Sequence, residues 1–188
     1  MDWKHITTFS GEDFTPLAPD AKQIHIKDIA HALSQMCRAN GHFVRFFSVA
    51  QHSINCFNEA NARGLSAKVQ LACLLHDASE AYISDVTRPV KQHLSEYQRI
   101  EKQLQNTIFN KFLESPLSEN ENAQVKQIDD EMMIYEFDAL MAKEVFTDLP
   151  AIKSKPSFEF SGFLEVEHEF IRKYNELTNQ LISVEKEI

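Results

Sequence analysis

Apolar residues recur at three- and four-residue spacing along most of the chain, the signature of helices with one buried face. From Lys27 the positions Ile29, Ala30, Leu33, Met36 and Cys37 form the first such stripe, and Asn40-Gly41 is expected to stop it. A second stripe over residues 48–62 carries Val49, His52, Ile54, Cys56 and Phe57 and closes near Gly64. Ser66 is placed to cap a third helix. Its run Val69, Leu71, Ala72, Cys73, Leu74 and Leu75 is apolar nearly all round, as in a buried central helix. Pro89 is expected to end the segment beyond it. Residues 95–114 are amphipathic again, with Tyr97, Ile100, Leu104, Ile108 and Phe112. Ser118 opens a further helix through Val125, Ile128, Met132 and Met133 towards Leu140. A loop around Pro150 and Pro156 precedes a last helix over about 163–184, with Phe163, Val166, Phe170, Tyr174 and Leu177. Residues 1–26, broken by Gly11, Pro16 and Pro19, read as an irregular lead-in. The pattern predicts one all-α domain over residues 1–188, a bundle of about six helices with its core in 27–145 and no strands.

Composition narrows the chemistry. Only four of the 188 residues are glycine, and none falls in a GxGxxG or Walker-type loop, which excludes the nucleotide-binding modes built on those turns. The same scarcity argues against an all-β fold, whose tight turns need positive φ. A net charge of −9 offers no broad basic surface, so duplex nucleic acid is not an expected partner. It leaves room for an anionic small ligand in a local basic pocket. No apolar run approaches the roughly 18 residues needed to span a bilayer, and MDWKHITTFSGEDF has no apolar leader core. A cytoplasmic protein with no membrane partner is expected. Cys37, Cys56 and Cys73 are odd in number and sit in helical stretches, so no disulfide framework is expected.

The strongest chemical feature is His76-Asp77 within LACLLHDASEAY. On one helix, adjacent side chains point about 100° apart and can bracket one edge of a site. An ionised carboxylate in such apolar surroundings needs a cation or hydrogen bonds. Imidazole with carboxylate suits a divalent metal, although a hydrogen-bonded core pair would read the same. His52 lies on the face of Val49 and Cys56, as a core histidine also would. Asp129 has Val125, Met132 and Met133 at −4, +3 and +4, whereas Asp130 faces Lys126 and Gln127; a small error in helix phase would exchange the two. His52, His76, Asp77 and Asp129 thus make a candidate four-ligand set that leaves coordination positions for water and substrate. Glu80, three residues after Asp77, is spaced to act on water as a general base, or is a solvated acid at a helix end. Asp85 lies in the following turn. Arg38, His42, Arg45, Arg88 and Lys91 are the nearby candidates for phosphate recognition, each equally readable as a surface residue.

FFSVAQHS at 46–53, LLHDASEAY at 74–82 and VKQIDDEMMIYE at 125–136 together resemble the HD-domain phosphohydrolase superfamily, whose pattern is His…His-Asp…Asp. With TFSG at 8–11 and DIAHALSQMCRANGH at 28–42, the chain is most similar to small bacterial and prophage HD hydrolases akin to 5′-deoxynucleotidases. The resemblance spans about residues 7–140. It implies His52, His76, Asp77 and Asp129 as metal ligands, the choice of Asp129 being supported by Glu136 seven residues on. It implies Glu80 and Asp85 as the acidic pair that activates water, and Arg38 and His42 as substrate-side residues, while Arg45 has no family role. Members with two metals carry further histidines between the HD motif and the last Asp. Only His93 lies there, so one divalent ion (Co, Mn, Zn, Fe or Mg) is expected.

The implied activity is a metal-dependent deoxynucleotide phosphohydrolase, either a deoxynucleoside triphosphate triphosphohydrolase (dATP suspected) or a 5′-deoxynucleotidase acting on monophosphates. Arg88 and Lys91 add positive charge beyond the HD motif and tilt the reading to the triphosphate. A non-catalytic nucleotide-binding HD protein and hydrolysis of a signalling nucleotide are the alternatives. Relatives assemble as dimers or larger rings, so a homo-oligomer is expected, with the helix at 163–184 available for an interface.

Overall fold

Serine caps set the boundaries of the three helices at the centre of the fold. In the computed structural model, which describes residues 4–185 and side chains as far as Thr178, Ser48 begins α2 (Val49–Ala62) with a reciprocal capping box. Its hydroxyl accepts from the Gln51 amide at 3.1 Å, and the Gln51 side chain accepts from the Ser48 amide at 3.0 Å. Ser66 caps α3 (Ala67–Leu75) and Ser118 caps α7 (Glu119–Leu140), the latter with a capping box to Glu121. Gly64 takes the left-handed φ of +72° that ends α2 and turns the chain back into α3. The remaining helices are α1 (Ile26–Gln35), the single turns α4 (Glu80–Ile83) and α5 (Arg88–Lys91), α6 (Ser95–Phe112) and α8 (Phe163–Glu185). Among the described residues, six helices exceed two turns, which is the all-α bundle.

The chain's most apolar segment becomes its centre. Val69, Leu71, Ala72, Cys73, Leu74 and Leu75 of α3 are all buried. They join Phe57 of α2, Leu104 and Ile108 of α6, Ile128 and Met132 of α7, and Phe170 of α8 in one continuous cluster. α2 and α3 pack as an antiparallel pair, α7 lies against both, and α8 closes the bundle against α1, α2 and α3. The loop between α7 and α8 is held by one polar stripe of α2. Gln51 donates to the Glu159 carbonyl (3.1 Å), Asn55 exchanges two bonds with the Ser157 backbone, and Glu59 accepts from the Lys153 and Ser154 amides. These three residues stand four apart, on one face. No helix of the described residues is long and apolar enough to cross a membrane.

Four expectations are corrected. The lead-in, whose residues 1–3 lie outside the described residues, contains a two-stranded antiparallel hairpin, β1 (Ile6–Thr7) and β2 (Asp13–Phe14), where no strand was expected. The α1 helix stops at Gln35 and not at Asn40-Gly41. The next backbone is drawn into bridging bonds, Val49 N–H to the Met36 carbonyl (3.0 Å) and Arg38 N–H to the Phe47 carbonyl (2.8 Å). Cys37 therefore lies outside a helix and is exposed, and all three cysteines are free. Pro89 opens the single turn α5 and does not end an element, since its missing amide needs no partner in a first turn.

Glu59 is fully buried and its carboxylate also accepts from Arg63 Nε at 2.7 Å. Burial alone would raise its pKa, but the bonds from Ser154, Lys153 and Arg63 hold it down at about 2. An unfolded glutamate titrates near 4.3, so this stability is complete above that value and is lost as pH falls through about 2. Glu59→Gln should destabilise the protein at pH 7 by about 1–3 kcal/mol through mispaired amides. Urea midpoints at pH 7 and pH 3 check this: the wild-type midpoint falls more between them than that of the variant.

Candidate metal centre and flanking cavities

The His-Asp pair does not sit inside a helix. α3 ends at Leu75, His76 is its C-cap, and residues 76–79 run as tight turns into α4. This break turns His76 and Asp77 towards the same point. His76 Nε2 lies 3.0 Å from His52 Nε2 on α2, 3.3 Å from Asp77 Oδ2 and 3.6 Å from Asp129 Oδ1 on α7. His52 Nε2 is 3.1 Å from Asp129 Oδ1 and 3.8 Å from Asp77 Oδ2. Donors held about 2.0–2.2 Å from one ion at tetrahedral or octahedral angles stand about 3–3.5 Å apart; three of the five separations fall in that range, and the two at 3.6 and 3.8 Å lie just beyond it. Asp130, the alternative to Asp129, turns outward to Arg88 (2.7 Å) and Lys126 (2.5 Å).

The surrounding bonds orient both imidazoles. His76 Nδ1–H donates to the Cys73 carbonyl at 2.8 Å, and His52 Nδ1 is 2.5 Å from Glu136 Oε1. Each ring is anchored through Nδ1, so Nε2 is the nitrogen presented to the cluster. Glu136 is itself held by Arg38 Nη2 (3.1 Å), whose Nη1 reaches Asp77 Oδ2 (3.3 Å). Arg38 is placed by a turn in which Ala39, Asn40 and Gly41 all take left-handed φ, at +51°, +49° and +75°. Two of these are not glycine, a strained geometry of the kind found at functional sites.

The electrostatics favour positive charge at the centre. Burial would lower the His76 pKa, but Asp77 and Asp129 raise it to about 9. His52 is raised as well: burial and Arg38 oppose this, and Glu136 and Asp129 prevail. Bonds from the two histidines hold Asp129 far below the carboxylate range although burial acts the other way. Cys56, one turn after His52, belongs to the same cluster, with Sγ 3.6 Å from His52 Nε2. Burial and the nearby carboxylates push its thiol well up, which makes it costlier to ionise than the two carboxylates beside it. Two imidazoles and two carboxylates fit a divalent cation by donor type and by spacing.

Two cavities meet at this cluster, sharing Asp77, Asp129 and Lys91. The smaller, 210 Å³, contains Arg38, Glu80, Asp85, Arg88, Met133 and Phe137. Glu80 is buried, and its Oε2 has no hydrogen-bond partner. Burial, then Asp77 and Asp85, push its pKa well up against the opposing pull of Arg38 and Lys91. The larger, 400 Å³, opens between α6 and α7. Lys91 is paired with Glu101, and Arg88 bridges Asp129 (3.3 Å) and Asp130. His42 is exposed and lines neither cavity, and Arg45 pairs with Glu159 (2.8 Å) away from the cluster. Sequence reasoning had no role for Cys56 and used Glu136 only to choose between aspartates. The His52-to-Cys56 and Asp129-to-Glu136 intervals, one and two turns, were the available signal.

Residues 22–149 match the family model of the HD domain, and the chain belongs to that family. Its members are generally metal-dependent phosphohydrolases that bind divalent metals. The chain is similar to the uncharacterized protein YfdR of Escherichia coli strain K12, 37% identical over 107 residues, 57% of each chain. It is also similar to an uncharacterized protein of Rhodobacter capsulatus, 40% identical over 87 residues, 44% of each chain. The chain thus spans about half the length of the curated relatives it matches.

Elemental analysis of purified variants checks the assignment of donors. Asp129→Asn should lose stoichiometric divalent metal, while Asp130→Asn and Cys56→Ser retain it. Glu136→Gln should weaken metal affinity about 10–100-fold by freeing the His52 ring.

Proposed function

We propose that this protein is a metal-dependent deoxynucleotide phosphohydrolase whose site is built from His52, His76, Asp77 and Asp129 around one divalent ion. The observation that carries this reading is the meeting of two Nε2 atoms and two carboxylate oxygens where two cavities join. Family membership supports the reaction class, and the likeness of the FFSVAQHS, LLHDASEAY and VKQIDDEMMIYE segments to 5′-deoxynucleotidase-like proteins supports the substrate class. A divalent cation held by these residues supplies charge that polarises a phosphoryl oxygen and acidifies water.

The chain's own residues supply the rest. Glu80 lines the smaller cavity and keeps one buried carboxyl oxygen without a hydrogen-bond partner; its carboxylate accepts a proton from attacking water. The water oxygen bonds to phosphorus as the bond to the 5′ oxygen breaks, and the leaving oxygen takes up a proton. Asp85 lines the same cavity and raises the basicity of Glu80. Arg38 holds Asp77 and Glu136 in place and presents charge to the substrate, and Lys91 stands at the junction of the cavities.

A triphosphohydrolase and a 5′-nucleotidase both break this phosphorus–5′-oxygen bond, so one machinery serves either. Arg88 and Lys91 do not decide between them, because carboxylates of the protein already occupy both. The reading is tested with dATP and dAMP in the presence of Mn²⁺, identifying deoxyadenosine, phosphate and triphosphate. Metal-dependent release of deoxyadenosine is expected. Glu80→Gln should lower kcat about 10²–10⁴-fold with metal content unchanged, whereas His76→Ala and Asp77→Ala lose both. Full metal-dependent turnover in either alanine variant would remove the site from the reaction.

A further inference from the structure

The chain beside the smaller cavity passes through a conformation that its side chain disfavours. Ser84 ends α4 with φ +70° and ψ 159°, where glycine is at ease and a residue with a Cβ is strained. Such a backbone persists only where surrounding bonds over-determine it. Ser84 is bonded on both sides. Its N–H donates to the Glu80 carbonyl at 2.8 Å, and its carbonyl accepts from the Tyr97 hydroxyl at 2.6 Å. The first bond is local to the α4 turn, whereas the second comes from another helix, α6.

The strained residue stands between the two acids of the smaller cavity, with Glu80 one turn before it and Asp85 directly after. The direction in which the chain leaves Ser84 therefore decides whether Asp85 shares the cavity with Glu80. The segment that follows supplies Asp85, Val86, Thr87, Arg88 and Lys91 to the same wall. Its far end is also held from α6. Lys91 pairs with Glu101, and its ammonium lies 5.7 Å from the centre of the Tyr97 ring. Tyr97 and Glu101 stand one turn apart on one face of α6. Burial, then the carboxylates of Glu101, Glu80, Asp85 and Asp77, push the Tyr97 phenol above its ordinary value, so it keeps the proton that it donates to Ser84. Tyr97 lines neither cavity and reaches the site only through the chain it holds.

We propose that Tyr97 is a positioning residue whose hydroxyl clamps the strained Ser84 turn and so keeps Asp85 in the smaller cavity with Glu80. The role goes beyond the phosphohydrolase reading, and its effect on turnover rests on that reading. Without the hydroxyl, Ser84 relaxes out of the left-handed region, Asp85 leaves the wall, and the acid pair that acts on water comes apart. Glycine at position 84 adopts the same turn without steric cost, which makes the clamp dispensable.

Steady-state hydrolysis of dATP and dAMP with Mn²⁺ tests the clamp in Tyr97→Phe, Ser84→Gly and Asp85→Asn, singly and with Tyr97→Phe added to each of the other two. Tyr97→Phe keeps the ring beside Lys91 and removes only the hydroxyl. It should lower kcat about 10-fold with KM and metal content unchanged. Ser84→Gly alone should match wild type and, added to Tyr97→Phe, restore kcat. In Asp85→Asn, Tyr97→Phe should cost nothing further. A general loss of stability gives neither the rescue nor the missing second effect. Hydrogen exchange of the backbone over residues 84–91, read by mass spectrometry, follows the turn without turnover. It should be about 10-fold faster in Tyr97→Phe and return to the wild-type rate when Ser84→Gly is added. Unchanged kcat in Tyr97→Phe, no rescue by glycine, or an undiminished effect in Asp85→Asn overturns the clamp. If the wild type hydrolyses neither nucleotide, the phosphohydrolase reading falls and exchange alone decides. Faster exchange reversed by glycine then retains the clamp, and wild-type exchange in Tyr97→Phe overturns it.

Discussion

Two imidazole nitrogens stand 3.0 Å apart, each ring anchored through its other nitrogen, so in the neutral rings two lone pairs face each other. With carboxylates from a turn and a third helix beside them, this is a costly arrangement unless a positive charge lies between. Much of the surrounding structure holds the groups in that opposition. Glu136 fixes the His52 ring, Arg38 fixes Glu136 and Asp77, and a left-handed turn fixes Arg38. The bundle brings α2, α3 and α7 together through its apolar core, so the polar groups on those faces have nowhere else to go.

Polar residues on apolar faces were the legible part of the site. His52 and Asp129 could be placed inward because helical neighbours at three and four residues are apolar. Asp129 and Asp130 separate on the same ground, since the latter's helix face carries Lys126 and its carboxylate is drawn to Arg88.

Other features depended on contacts distant in sequence. The segment after Leu75 contains no glycine or proline, and local propensity would continue the helix through His76 and Asp77. Instead the chain turns there, with the Ser79 amide held by Gln105 and Gln105 also donating to the Leu75 carbonyl. The same holds for α1, which yields its last turn to a pairing with Phe47 and Val49, and for Arg88, whose partners lie about forty residues away. The buried stripe Gln51, Asn55 and Glu59 reads as a polar face in sequence and becomes the mount for the loop before α8. Local periodicity carries no information about a partner that arrives from another part of the chain.

The position of the metal is the most direct test of this account. Crystals grown or soaked with Mn²⁺ and measured for anomalous scattering should show one strong peak about 2.0–2.3 Å from His52 Nε2, His76 Nε2 and a carboxylate oxygen of each of Asp77 and Asp129. A fully loaded crystal with no peak among these four side chains, or with its peak elsewhere, contradicts the account.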